Sequence, residues 1–217
     1  MSSGTLRDER CEIMAETPAN GLNPHPSAPR FDTLLQVATA TGKRGLPPVH
    51  LWNPPDCGNI DMRIAADGTW FYQKTPIGRP ALVRLFSTIL RKDPDRYVLV
   101  TPVERVGIVV DDAPFLGVEM RVEQGPGGQT LHFRSNVDDW TAVDAAHPLR
   151  FEPGASAGLK PYFRVRADLW ALVKRALFYD IVALGEVREV NATKMFGVAS
   201  AGEFFPMAPA DEIGAIA

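Results

Sequence analysis

Residues 51–74 read LWNPPDCGNIDMRIAADGTWFYQK. Ile60, Met62 and Ile64 alternate with Asp61 and Arg63, the period-2 pattern of a strand with one buried face. Asp67-Gly68 is a tight-turn pair, and Thr69-Trp70-Phe71-Tyr72 suits a returning strand. The inner phrase Ile60-Asp61-Met62-Arg63-Ile64 returns as Val118-Glu119-Met120-Arg121-Val122. That echo predicts a duplicated module, each copy opening on a hairpin.

Working downstream, Pro76 and Gly78 break the first hairpin. Leu82, Leu85, Phe86, Ile89 and Leu90 then follow the 3.6-residue period of an amphipathic helix, with Pro80 in its first turn and Asp93-Pro94 as its end. Tyr97–Thr101 and Val103–Val110 read as two strands. Asp111-Asp112-Ala113-Pro114 is the predicted seam between modules. Beyond it, Gly117–Glu123 and Gln129–Arg134 flank a glycine-rich tip, and short strands follow over 140–143, 149–152 and 162–165. Leu169, Leu172, Val173, Ala176, Leu177, Ile181 and Leu184 predict one long closing helix ending at Gly185. Phe196–Phe205 is apolar enough to dock on the body.

Working upstream, residues 1–30 carry four prolines among small and polar residues and are expected to form a disordered tail. Phe31, Leu34, Leu35 and Ala38 predict a short helix, and 31–48 is assigned to it and a linker. The expected organisation is a first α+β module over 49–110, a second over 111–205, and a frayed C-terminus over 206–217. Each module is expected to be a largely antiparallel sheet covered by a helix. The order of the second, several strands and then one helix, resembles a pleckstrin-homology-like barrel.

The 217 residues are 45% hydrophobic and 23% charged, enough apolar material for two small cores. A net charge of -3 gives no global reason to bind nucleic acid or a membrane surface. Two cysteines, Cys11 and Cys57, make no disulfide framework. With no basic start leading into an apolar core and no run near ~20 apolar residues, a cytoplasmic location is expected.

The run of WNPPDCG, IDMRI, DGTWFY, IGRPALVRLFSTIL, YVLVTPVERV, DDAPF, KPYFRVR and GEFF resembles bacterial domain-of-unknown-function family 1285, from about Leu46 to Phe205. The resemblance implies a duplicated core whose second domain is superficially pleckstrin-homology-like. It also implies a nucleotide-like ligand between the domains and a part in signal transduction; it implies no activity and no cofactor.

The candidate chemistry is therefore sought in anion recognition. Arg79 stands before the first helix, where unpaired N–H groups favour an anion. Arg164 and Arg166 lead toward the long helix and repeat that arrangement. Arg134, Ser135 and Asn136 put a guanidinium, a hydroxyl and an amide at a strand end. The expected interdomain site takes phosphate or carboxylate on Arg79, Arg134 and Arg166, packs a ring on Trp70 and Tyr162, and fixes orientation with Glu104 and Asn136. The bland alternative is that these arginines are ion-paired to acids such as Glu119 and Asp168.

Two other classes remain open at this point: an adaptor that docks a peptide on an exposed edge such as Tyr162–Val165, acting with a signalling partner, and a thiol enzyme using Cys57 near His50. His25, His50, His132 and His147 lack metal-ligand spacing, so no metal is expected. Asp111-Asp112 and Asp138-Asp139 fit turn chemistry. Gly125–Gly128 lacks the lysine and helix of a phosphate loop, and Ser200-Ala201-Gly202 reads as a turn before Phe204.

Overall fold

A computed structural model describes residues 46–154 and 158–215. The expected disordered tail and the helix of 31–48, short of its last three residues, lie outside them. The chain divides into two compact units. The first runs to Arg63 and resumes over Trp70–Val109; the second takes the turn Ile64–Thr69 and everything from Val110.

The first unit holds β1 (Asp56–Ile64), β2 (Trp70–Tyr72), β3 (Thr75–Pro76), helix α1 (Pro80–Thr88), β4 (Leu90–Lys92), β5 (Tyr97–Val100) and β6 (Arg105–Val110). They form one six-stranded sheet ordered β3-β2-β1-β6-β5-β4. Its core is Met62, Trp70, Phe86, Ile89 and the Val98–Val100 run, all at most 1% exposed. Arg91 ties down the start of the described chain: its Nη1 donates to the carbonyls of Val49 (2.9 Å) and Trp52 (2.7 Å) while Asp93 accepts from its Nε.

The second unit repeats that layout. Strands β7 (Phe115–Gly125), β8 (Gly128–Ser135), β9 (Trp140–Ala142), β10 (Leu149–Pro153), β11 (Leu159–Arg166) and β12 (Leu169–Val173) are ordered β10-β11-β12-β7-β8-β9. Read from the other edge this is the first sheet's order, strand for strand. The echoed pentapeptides lie on β1 and β7, the strands that take their sixth partner in each sheet. β12 pairs with β7 in parallel, Ala171 opposite Phe115 and Val173 opposite Gly117. In the first sheet, the hydrogen bonds from Arg105 N–H to Pro55 and from Asp111 N–H to Ile64 advance along both strands in one direction, so β6 also runs parallel to β1. All other pairings with a described register are antiparallel. The architecture is thus α+β, two related sheet-rich modules with few helices, as the sequence predicts.

The helices break the symmetry. α1 sits between the third and fourth strands, whereas α2 (Arg175–Ala183) follows the sixth. Two helix boundaries depart from expectation. α1 ends at Thr88, and Leu90 opens a strand instead of closing the helix. Likewise Leu169–Val173 is a strand whose burial alternates, with Leu169, Ala171 and Val173 inside. Its apolar residues fit a helical stripe by spacing, but pairing with β7 and β11 takes five residues that a helix would have used.

Nor does α2 terminate the unit. β13 (Glu186–Val190), β14 (Thr193–Ser200) and β15 (Glu203–Pro209) follow as a third, three-stranded sheet. Residues 206–209, read as part of a fraying end, complete β15, and Met207 and Ala208 are buried. Ser200 is the last residue of β14 and fully buried, with the turn itself at Ala201 (φ 50) and Gly202 (φ 82). Its hydroxyl donates to the Val143 carbonyl at 2.7 Å and accepts the Leu131 N–H at 2.8 Å. One side chain thereby joins the third sheet to β8 and to the segment after β9. No helix among the described residues is long and apolar enough to cross a membrane.

Replacing Ser200 by alanine strands a buried N–H and a buried carbonyl at once. The expected cost is about 1–3 kcal/mol, read as a lower urea midpoint with an unchanged slope. A midpoint that does not move would show that the hydroxyl bridge is not what holds the third sheet.

Candidate functional site

Of the seven residues expected from sequence to hold an anion, Trp70, Arg79 and Glu104 lie in the first unit and Arg134, Asn136, Tyr162 and Arg166 in the second. In the first unit, Trp70 is 1% exposed and stacks on Phe86 at 6.4 Å between ring centroids, so it is core and offers no wall to a ligand. Arg79 is the exposed N-cap residue of α1, its carbonyl accepting from Leu82 and Val83. Glu104 closes the turn Thr101–Glu104: its carbonyl accepts from the Thr101 N–H and its N–H donates to the Thr101 hydroxyl.

In the second unit the structure does bring three predicted residues together, around the turn between β8 and β9. Arg134 donates to Glu119 and to Asp138, each at 2.8 Å. Arg166 donates to Asp139 at 2.8 Å and lies over the Phe115 ring. Burial pulls the Arg166 pKa below the ordinary arginine value, with Asp139 opposing. Asn136 is structural: its N–H reaches the Leu116 carbonyl at 2.8 Å and its Oδ1 accepts the Leu116 N–H at 3.0 Å. Asp138-Asp139, read as turn residues, also neutralise these two arginines.

Two further expectations fail for topological reasons. Arg166 does not precede a helix, because β12 intervenes, so the arrangement seen at Arg79 is not repeated there. Tyr162–Val165 is not an exposed edge, because β11 lies between β10 and β12. Tyr162 is 3% exposed, and its hydroxyl donates to Asp112 Oδ1 at 2.7 Å. Cys57 is half-buried in β1, its sulfur 3.9 Å from the Pro55 carbonyl. His147 caps its own turn through Asp144, and His132 lies 3.2 Å from Glu123.

A different set of residues converges instead. Within the second unit a cavity of about 450 Å³ opens where β12 passes into α2. Leu116 of β7, Leu159 and Pro161 of β11, Leu172 and Val173 of β12, and Phe178 of α2 give it an apolar lining. Three cations, Lys160, Lys174 and Arg175, and one carboxylate, Asp67, give it a polar side. Lys174 is the exposed N-cap of α2 and its N–H is held by the Gly117 carbonyl at 3.1 Å. Arg175 donates to the Tyr179 hydroxyl and lies over that ring. Neither Lys174 nor Arg175 has a carboxylate partner among the described residues. That sets them apart from Arg121, Arg134, Arg150, Arg164 and Arg166, each of which has one.

Lys160 is already committed. Its ammonium meets Asp112 Oδ2 at 2.7 Å, and the same carboxylate receives the Tyr162 hydroxyl. Burial alone would raise the Asp112 pKa, but those two hydrogen bonds and the nearby positive charges outweigh it and hold the group below the usual carboxylate value.

Sequence reasoning missed this cavity because the long predicted helix swallowed its hinge. Lys174 and Arg175 look like mid-helix surface charges until β12 is recognised as a strand. A basic pair directly after an alternating run, Leu169-Ala171-Val173, was the available signal.

Comparison with known proteins bears on most of the described chain. The model for the N-terminal domain of the domain of unknown function DUF1285 matches residues 47–113, and that for the C-terminal domain matches 114–207. A crystal structure of a DUF1285 family protein from Silicibacter pomeroyi DSS-3 is 49% identical, with a TM-score of 0.76, over 83% of this chain and 97% of that one. Another, from Shewanella baltica OS155, is 28% identical with a TM-score of 0.46, over 57% and 91%. No curated protein matches.

The Asp112 carboxylate yields a pH signature. Its folded pKa is depressed, so its contribution is complete above the unfolded value near 3.9 and is lost as pH falls through the lower folded value. Asp112→Asn should therefore cost about 1–3 kcal/mol at neutral pH and flatten the acid limb of stability below about pH 4. Urea unfolding across pH 7 to 3 checks it; parallel acid limbs in the two proteins would remove Asp112 as the anchor of Lys160 and Tyr162.

Proposed function

Given that the chain belongs to the DUF1285 family, a designation that specifies no chemistry, we propose from the cavity itself that the protein is a non-catalytic binding module for a small anionic molecule. One observation carries the reading. Lys174 and Arg175, two cations at the polar side of an apolar-lined cavity, lack carboxylate partners among the described residues, while the other arginines with ion pairs in the second unit are already neutralised. Two adjacent positive charges with a single carboxylate, Asp67, in the same lining leave the empty site net positive, and an incoming anion relieves it.

The same residues argue for binding over turnover. Within the cavity lining the titratable groups are Lys160, Lys174, Arg175 and Asp67. Lys160 is held by Asp112, and Asp67 accepts the Thr69 N–H at 2.9 Å as a turn residue. A nucleophile paired with an oriented base, the minimum for covalent catalysis, has no counterpart in that set.

A signalling role fits this chemistry without being required by it. Anion binding at the junction of β12 and α2 bears on the element that leads into β13, so occupancy has a route to the third sheet within this unit.

Replacing Lys174 and Arg175 together by alanine should leave basal stability within about 0.5 kcal/mol, because both are exposed. It should abolish any thermal shift produced by a panel of mononucleotides, organic carboxylates and inorganic phosphate. A ligand at a hundredfold its Kd adds about 2.7 kcal/mol, which is readily resolved. Shifts that persist in the double variant would move the site elsewhere. Absence of any shift, together with a protein partner recovered on the wild type, would favour the adaptor reading.

A further inference from the structure

We infer that the cavity between β12 and α2 takes a free aliphatic monocarboxylate of medium chain length, in preference to a nucleotide. The inference rests on the binding reading above and narrows it by three features of the lining.

The first is shape chemistry. Seven apolar side chains line the cavity, and six of them, Ala66, Leu116, Leu159, Pro161, Leu172 and Val173, are aliphatic. The one aromatic, Phe178, is 3% exposed and turned against Phe151 and Tyr179 at tilted angles of 47° and 42°. A nucleobase would find no open ring face to stack on here, and stacking supplies much of the binding energy for a base. Tyr162, the other aromatic expected to serve, is buried and bound to Asp112. A hydrocarbon chain needs only apolar contact, which the six aliphatic residues provide.

The second feature is charge balance. Lys174 and Arg175 contribute two positive charges, Asp67 returns one negative, and Lys160 is cancelled by Asp112. The lining is therefore left with a single uncompensated positive charge, which matches a monoanion. A nucleoside di- or triphosphate would bring several negative charges into the neighbourhood of the Asp67 carboxylate with too few cations to meet them.

The third is size. About 450 Å³ lies in the lower part of the range of small-molecule sites, about 300–1,000 Å³. A single chain with a compact head suits that volume.

Isothermal titration of the full chain with hexanoate, octanoate and decanoate, each below its micelle concentration, tests the assignment. Affinity should rise roughly fourfold for each methylene until the chain outgrows the cavity. Octylamine, of like chain but opposite charge, should not bind. Lys174→Gln with Arg175→Gln should weaken octanoate by at least tenfold and leave the methylene increment in place. If AMP or inorganic phosphate binds as tightly as octanoate and that binding is lost in the double variant, the ligand class is wrong while the anion site stands. If octanoate binds equally well to the double variant, the carboxylate does not sit between these cations and the inference falls. If none of these anions binds, the binding reading fails and this inference goes with it.

Discussion

Each six-stranded sheet depends on one parallel pairing, between its first strand and its last. β1 takes β6 and β7 takes β12, while the remaining pairings of described register are hairpin-like and antiparallel. The antiparallel ribbons on either side, three strands each, are local and would form two-faced sheets too small to cover themselves. Only when the first and sixth strands zip together does Met62 on one module, or Phe115 on the other, become central and fully buried. The echoed pentapeptides lie on the strands that receive this pairing, and in β7 the parallel register covers Phe115–Gly117, just ahead of Val118.

The duplication and the departures from it have different consequences. Equivalent strand order gives two scaffolds of one design. Moving the helix from the middle of the module to its end, and adding a third sheet, gives the second scaffold a strand-to-helix junction that the first does not have at that position. The cavity occupies this junction. Its cationic side comes from the two residues where extended backbone turns helical, and its apolar side from β7, β11, β12 and Phe178 of α2. The candidate function thus belongs to what the second copy changed.

Strands were legible from alternation, and the two modules from the echo of Ile60–Ile64 in Val118–Val122. Helix boundaries were not. In Leu169–Val173 the residues at 170 and 172 are also apolar, so period 2 is blurred and the spacing 169, 172, 173, 176 imitates a helix. The same ambiguity blurred Leu90, which a helical stripe and a strand start can both claim. Arginines drew attention as potential anion ligands, yet Glu119, Asp138 and Asp139 answer them in space. Counting arginines finds charge; it does not find uncompensated charge. Asp67, Leu116, Lys160 and Arg175 are scattered over more than a hundred positions and share no local pattern, so their convergence belongs to topology alone.

The late arrival of β6 and β12 has a bearing on how the protein is made. A nascent chain emerging from the ribosome exposes β1 well before Arg105 is synthesised, and β7 well before Leu169. During that interval each carries an open, apolar hydrogen-bonding edge of the kind that invites pairing with a neighbouring chain. The charges that punctuate the echoed phrases, Asp61 and Arg63 in one and Glu119 and Arg121 in the other, lie on the faces away from the core and act as gatekeepers while the edge waits. The acid and base that look like ordinary surface decoration in the finished fold are also residues of the kind that disfavour pairing between chains before the sheet is complete.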